Sequence, residues 1–312
     1  LMSWPGASGS AESTKRKHES MGAGMLTDSD ELRIAIPSKG RLMEQSIDLL
    51  KKSGLRFNAS GRQLFARCKD TGVMVIFVNA QDIPALVEEG VVDLGVTGSD
   101  LVREKKASVN EHMPLGFGRC WLSFATHIDS AVKTAADFSG RTLGTKFVST
   151  AREYFAERGV ENVRILEING AVEVMVLLGL VDGILDIVET GSSLREHDLV
   201  ERETVLTAQA VLIGNPKPRS SSMRDRLLRR IEGVLVASRW SLLEYNCPGD
   251  KIDQAKKITP GYSSPTIQGT DSGTWLAVKV MVEKDRVQGV MDQLEAVGCR
   301  AIIETDVVHC RL

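Results

Sequence analysis

The chain has 312 residues, with 39 Lys+Arg against 41 Asp+Glu, a formal charge of −2, 42% apolar and 26% charged residues. About 150 residues per domain predicts roughly two domains with ordinary globular cores. The near-neutral balance excludes a general nucleic-acid or membrane-surface binder, and no apolar run approaches the ~18–20 residues that span a bilayer. Five cysteines (Cys68, Cys120, Cys247, Cys299, Cys310) form no CxxC pair, and the five histidines show no HxxxH or HxH spacing. That pattern fits neither a disulfide framework nor a zinc knuckle, and reads as reduced thiols in a cytoplasmic chain.

In chain order, residues 1–30 are polar and unpatterned and read as a disordered arm. Their basic cluster Lys15-Arg16-Lys17-His18 is mixed with acids that a transit peptide would lack. Order begins at Leu32 with a buried strand over 32–36, a turn at Pro37 to Arg41, and an amphipathic helix over 42–52. Residues 73–78 (VMVIFV) predict a strand, Ile83-Pro84 opens a helix, 91–96 predicts a strand, and Thr97-Gly98-Ser99-Asp100 a turn and cap. Gly116 to Cys120 reads as a hinge into a second lobe. There, strands are expected over 121–126, 142–147, 163–167 and 185–188, with helices over 151–158, capped by Ser149-Thr150, and 171–180. Residues 205–213 return the chain to the first lobe, and 223–236 predicts a helix. The remainder reads β-α-β-β-α-β, a ferredoxin-like module.

The expected fold is therefore α/β: two lobes followed by a C-terminal ferredoxin-like domain. Expected boundaries are an arm over 1–30, lobe I over 31–118 plus 205–236, lobe II over 119–204, and the C-terminal domain over 237–312. A cleft between α/β lobes is where ligands bind.

Three strand-to-helix turns combine glycine with hydroxyls or cations. In Glu189-Thr190-Gly191-Ser192-Ser193-Leu194, glycine lets backbone N–H groups approach an anion and the hydroxyls add donors, so a phosphate fits; an ordinary capped turn is the alternative. Lys39 and Arg41 sit at a helix N-terminus, where cations are unfavourable unless an anion is bound. The Thr97 to Asp100 turn alone is uninformative. Asp182, Asp186 and Glu189 could bind hydrated Mg²⁺ or ribose hydroxyls. No Walker A, GxGxxG or Ser/His/Asp order is present.

Taken together, IPSKGR (36–41), QDIPALVEEGVVDLGVTGSD (81–100), GFGRCWLSFAT (116–126), NGAVEV (169–174), LGLVDGILDIVETGSSL (178–194) and ITPGYSSPT (258–266) closely resemble ATP phosphoribosyltransferase, long form. The resemblance covers residues 32–312. It implies a periplasmic-binding-protein-like two-lobed core with an ACT-like regulatory domain. It also implies condensation of ATP with phosphoribosyl pyrophosphate (PRPP), with Mg²⁺, and homo-oligomers (dimers and hexamers). The expected inhibitors are histidine, and AMP or ADP as nucleotide competitors. Carried over, Asp182, Asp186 and Glu189 to Leu194 would hold the phosphoribosyl group. Lys39, Asn79, Thr97, Gly98, Asp100, Leu101 and Glu173 would hold ATP, with Lys39, Arg41 and Asp182 catalytic. Asn246, Tyr262, Thr266, Met281 and Ala301 would hold histidine.

Two departures stand out. Asn79 occupies a place where the family usually has Arg, and Arg41 or Lys146 is expected to compensate. Asn246 and Tyr262 stand where related long forms can carry Asp and Leu, so weakened histidine inhibition is expected. A prephenate dehydratase-like enzyme, and a non-catalytic nucleotide- or effector-binding relative on the same scaffold, are the alternatives.

Overall fold

The computed structural model describes residues 31–59, 63–69, 71–170, 172–188, 191–218, 221–271 and 273–311. The expected arm lies outside them, as do Glu189, Thr190 and the first residue of the expected helix at 171.

Lobe I is built on a six-stranded sheet: β1 (Leu32–Pro37), β2 (Phe65–Arg67), β3 (Val73–Val78), β4 (Leu94–Gly98), β5 (Asn110–Pro114) and β11 (Ala210–Gly214), in the order β2-β3-β1-β4-β11-β5. Strands β3, β1 and β4 are parallel. Ile34 and Val75 face one core, and Ala35 faces another with Ile83 and Val87. Burial on both faces is why these strands read as unbroken apolar runs. Helix α1 (Gly40–Lys52) buries Ser46, Leu49 and Leu50 on one face, and α2 (Ile83–Glu88) carries Pro84 in its first turn. Helix α3 (Ser99–Lys105) follows β4 directly. The strand expected from residue 91 begins only at Leu94, because Asp93 turns its carboxylate back to accept from the Arg33 N–H at 2.8 Å.

Lobe II has a five-stranded sheet: β6 (Cys120–His127), β7 (Thr142–Thr145), β8 (Arg164–Glu167), β9 (Gly183–Val188) and β10 (Leu199–Ala208), in the order β10-β6-β9-β7-β8. Helices α4 (Val148–Glu157), α5 (Val172–Leu177) and α6 (Ser192–Glu196) complete it. Its core is aromatic, with Phe124 lying 5.4 Å from Phe138 and 5.3 Å from Phe155, centroid to centroid.

Two expectations are corrected here. The apolar run over 205–213 is two strands, not one. Through Ala208 it pairs antiparallel with β6 in lobe II, and only β11 belongs to lobe I. The chain thus crosses back at Gln209, not at residue 205. Ser149 and Thr150 do not cap α4: the helix already starts at Val148, and its amides are capped by Glu104 of α3.

Helix α7 (Ser222–Arg239) starts on a Ser221 cap, whose hydroxyl accepts from the Arg224 N–H, and buries Leu227, Ile231 and Val234 at helical spacing. The C-terminal domain contains β12 (Trp240–Pro248), α8 (Ile252–Ile258), β13 (Thr266–Gly269), β14 (Trp275–Glu283), α9 (Val287–Val297) and β15 (Arg300–Asp306). Its sheet order β13-β14-β12-β15, with every pair antiparallel, is the expected β-α-β-β-α-β arrangement. Val287, Val290 and Leu294 of α9 pack on Leu243, Tyr245 and Val280, with Met291 partly buried among them. The tail after β15 returns to α7, where the Cys310 N–H donates to the Gly233 carbonyl at 3.1 Å. A Cβ at Gly233 would lie 2.2 Å from the Cys310 carbonyl oxygen, so this approach requires glycine.

Candidate active site between the lobes

Parallel strands of both sheets end at one cleft. Strands β1, β3 and β4 deliver Lys39, Asn79 and Gly98 from lobe I, while β7 and β9 deliver Lys146 and Asp186 from lobe II. A cavity of about 260 Å³ between them is lined by Arg41, Asp100 and Leu101 from one side and by Cys120 and Ile187 from the other. Pockets that enclose a whole ligand run to roughly 300–1,000 Å³, so this one is sized for part of a ligand, with the remainder on its rim.

On the lobe I side, Lys39 is exposed at the N-cap of α1 and has no ion-pair partner among the described residues. Arg41 stands in the first turn and lines the cavity. Asp100, only 4% exposed, folds its carboxylate over Gly98, where a Cβ would lie 2.1 Å from Oδ1; that fold-back requires glycine. Burial pushes the Asp100 carboxyl up, against the opposing pull of its own and Leu101's backbone N–H and the Lys146 charge. Asn79 accepts from the Gln81 N–H at 3.3 Å, a local turn bond. Thr97 is fully buried and donates its hydroxyl to the Ala80 carbonyl at 2.9 Å. It shapes the cleft floor, which corrects the expectation that it touches the nucleotide.

On the lobe II side, Lys146 Nζ lies 3.4 Å from Asp186 Oδ1. That pair lacks hydrogen-bond geometry, and the buried oxygen keeps an unused lone pair. Gly191 holds φ at +68°, which glycine adopts without strain, and starts α6. Ser193 donates to Glu173 Oε1 at 2.8 Å. Glu173 therefore stands beside the hydroxyl turn, on the lobe II side. Leu194 is buried beneath the turn.

Asp182 requires the largest correction. It precedes β9, six residues before Val188, and an extended strand of that length spans about 20 Å. Its Oδ2 accepts from the Thr142 N–H at 2.8 Å, and Oδ1 lies 3.3 Å from Arg141. It ties two strand starts together at the end of the sheet remote from the cleft. Asp186, within β9, is the carboxylate that faces Lys146.

In the C-terminal domain, Asn246, Thr266 and Ala301 line a cavity of about 490 Å³ on the open face of the sheet, with Glu244 and Lys279 paired at 3.0 Å. Met281 and Tyr262 do not line it; the Tyr262 ring packs edge-on against Trp240 at 5.4 Å. A larger hollow of about 680 Å³ lies by β2, at the far edge of the lobe I sheet, lined by Lys51, Arg56, Phe65 and Arg67. Among the described residues, the interlobe cleft is where groups from the C-terminal strand ends of both lobe sheets gather, so the site is placed there despite its smaller size. Sequence reasoning missed Glu104 and Ile187 at this boundary: an isolated Glu on a short helix and an apolar strand residue carry no local signal.

The profile described as ATP phosphoribosyltransferase matches residues 79–233, and that described as HisG, C-terminal domain, matches 237–309. An ATP phosphoribosyltransferase of Rhodopirellula baltica is 41% identical over 292 residues, 94% of this chain and 97% of that protein. The one of Yarrowia lipolytica is 37% identical over 290 residues, 91% of this chain and 97% of that protein. The ATP phosphoribosyl transferase (HisG:HisZ) complex from Thermotoga maritima superposes with a TM-score of 0.57 at 25% identity, covering 66% of this chain and 98% of that one. Similarity on this scale runs through both lobes and on into the C-terminal sheet: the chain belongs to the ATP phosphoribosyltransferase family.

Proposed function

We propose that the chain joins N1 of the adenine of ATP to C1 of PRPP, giving N1-(5-phosphoribosyl)-ATP and pyrophosphate, the first step of histidine biosynthesis. The meeting of Arg41 and Asp100 of lobe I with Cys120 and Ile187 of lobe II around one cavity, with the Lys146 charge of the Lys146–Asp186 pair acting on Asp100, carries this reading. Adenine N1 has a lone pair and no proton, so the transfer needs no strong general base. Positive charge develops on the ribose as pyrophosphate leaves, and the Asp186 carboxylate, held beside Lys146, is the lobe II anion assigned to offset it. Asp100 and Leu101 border the base, Lys39 and Arg41 meet phosphates at the rim, and the turn from Gly191 through Ser192 and Ser193 to Leu194 receives the 5-phosphate. Positioning and fixed charges then supply the catalysis.

Among the described residues, no group of three His, Cys, Asp or Glu is arranged to hold a metal. A Mg²⁺ carried mainly by substrate phosphates fits this sparse donor set. When bound it neutralises the leaving pyrophosphate. Histidine is read as the inhibitor, seated near Asn246, Thr266 and Ala301, with AMP and ADP competing for the nucleotide side. The assembly is read as dimers and hexamers in the cytoplasm. A histidine titration of the activity checks the regulatory part: inhibition weaker than in typical long forms is expected because Asn246 replaces a carboxylate.

A non-catalytic nucleotide-binding relative is the second reading, favoured by Asn79, whose side chain is spent on a local turn. Product analysis separates the two. Incubation with ATP, PRPP and Mg²⁺ should yield a nucleotide heavier than ATP by one phosphoribosyl group. ATP recovered unchanged, though bound, would support the second reading.

A further inference from the structure

The two lobes are joined covalently at only two places, Gly116 to Gly118 and Gln209. Two crossings define an axis about which the lobes can turn, so cleft width must be fixed by a contact off that axis. Helix α3 provides it. Its first residue is bonded to the second crossing, with the Ser99 N–H donating to the Gln209 carbonyl at 2.9 Å and the Gln209 N–H to Ser99 Oγ at 3.2 Å. Leu101 packs against the aromatic core of lobe II. At the far end, Glu104 Oε1 accepts from the Ser149 N–H at 2.8 Å, and Oε2 accepts from the Thr150 N–H and Oγ1, both at 2.9 Å. Helix α4 has no side-chain cap of its own at Phe147, so a carboxylate from the opposite lobe satisfies its first amides. One turn on, Glu153 meets Lys106 at 2.7 Å and Arg103 at 3.7 Å.

We propose that Glu104 is a positioning residue for the transfer reaction: by capping α4 across the lobe boundary it fixes the distance between the ATP half and the phosphoribosyl half of the cleft. The proposal rests on the cleft being the transfer site. Each half lies on its own lobe, so each substrate can bind alone without the cap. Reaction needs the attacking and receiving atoms about 3–3.5 Å apart, and a misplacement near 1 Å costs about 100-fold. The signature is therefore a fall in kcat with little change in single-substrate binding.

The test uses the full chain with Mg²⁺, measuring kcat and both KM values, the Kd of ATP alone and of PRPP alone, and a thermal melt. Glu104→Ala should lower kcat by about 100-fold while each Kd stays within about threefold. Glu104→Gln, whose amide oxygen still accepts, should recover about 10-fold of the loss. Thr150→Val removes a single hydroxyl donor and should lower kcat a fewfold, which keeps the proposal testable if Glu104→Ala does not fold. A lowered melting temperature with kcat per folded molecule unchanged in these variants overturns it. Asp186→Ala separates this failure from that of the site. If Asp186→Ala loses activity and Glu104→Ala keeps it, the cleft stands and the cap falls; if both keep it, both fall.

Discussion

Asp182, just before β9, and Asp186, within it, lie four residues apart, yet the structure gives them opposite consequences when removed. Asp182→Ala deletes one charge-assisted bond to the Thr142 N–H and an ion pair to Arg141. A hydrogen bond to a charged group contributes about 1.5–3 kcal/mol, and an exposed ion pair about 0–1. The Asp182 side chain is 37% exposed and water can replace part of what is lost, so the net cost is about 1–2 kcal/mol. For a domain of this size each kcal/mol moves Tm by about 2–4 °C, which predicts a Tm lower by roughly 2–8 °C. The KM for PRPP should stay within about twofold, because about 20 Å of strand separates Asp182 from the hydroxyl turn. Differential scanning fluorimetry and a PRPP titration of the same preparation check both numbers. A tenfold rise in that KM at unchanged Tm would refute the placement of Asp182 and return it to the ribose.

Gly233→Ala should destabilise the chain by about 1–3 kcal/mol, because the new methyl meets the Cys310 carbonyl and the His309 ring. In a chain ending at Asp306 the same change should stabilise by up to about 1 kcal/mol through helix propensity, and a sign that does not reverse would contradict the tail contact. Asp100→Asn should raise Tm at pH 8. The raised Asp100 carboxyl contributes stability that is full below the ordinary carboxylate value of 3.8 and is lost as pH rises through its folded value. The gap should therefore close toward pH 4; one that widens in acid would reverse the sign of the shift. Burial pushes the Cys68 thiol up to about 11 and Cys299 up to about 12, so at pH 8 iodoacetamide should react first with the part-exposed Cys120 and Cys310. ATP should slow only Cys120, which lines the cleft; equal protection of both would place the nucleotide elsewhere.

Where periodicity is long and one-sided, the sequence is readable. The Val287, Val290, Leu294 stripe gave α9, and VMVIFV gave a strand buried on both faces. The glycine- and cation-bearing turns were visible because strand-to-helix junctions of parallel sheets collect at one edge. What failed was mostly three-dimensional. Asp182 looked close to the hydroxyl turn along the chain, but an extended strand carries six residues to the opposite end of a sheet. The break at Gln209 is a single residue inside an apolar run, and only the pairing of Ala208 with Cys120 and of Ala210 with Gly98 reveals that the run serves two sheets. The Glu104 cap joins residues 45 apart in sequence, beyond the range of any local capping pattern. Thr97 resembled a ligand-binding hydroxyl until its hydrogen bond to Ala80 accounted for it.

Transfer in the cleft is tested most directly by the initial rate of pyrophosphate release by the full chain with Mg²⁺, measured with ATP and PRPP together and with each omitted in turn, beside Asp186→Ala. Release that requires both substrates, and falls about 100-fold or more in the variant, is the predicted result. An undiminished rate in Asp186→Ala, or no release from the wild-type chain although ATP binds, would contradict it.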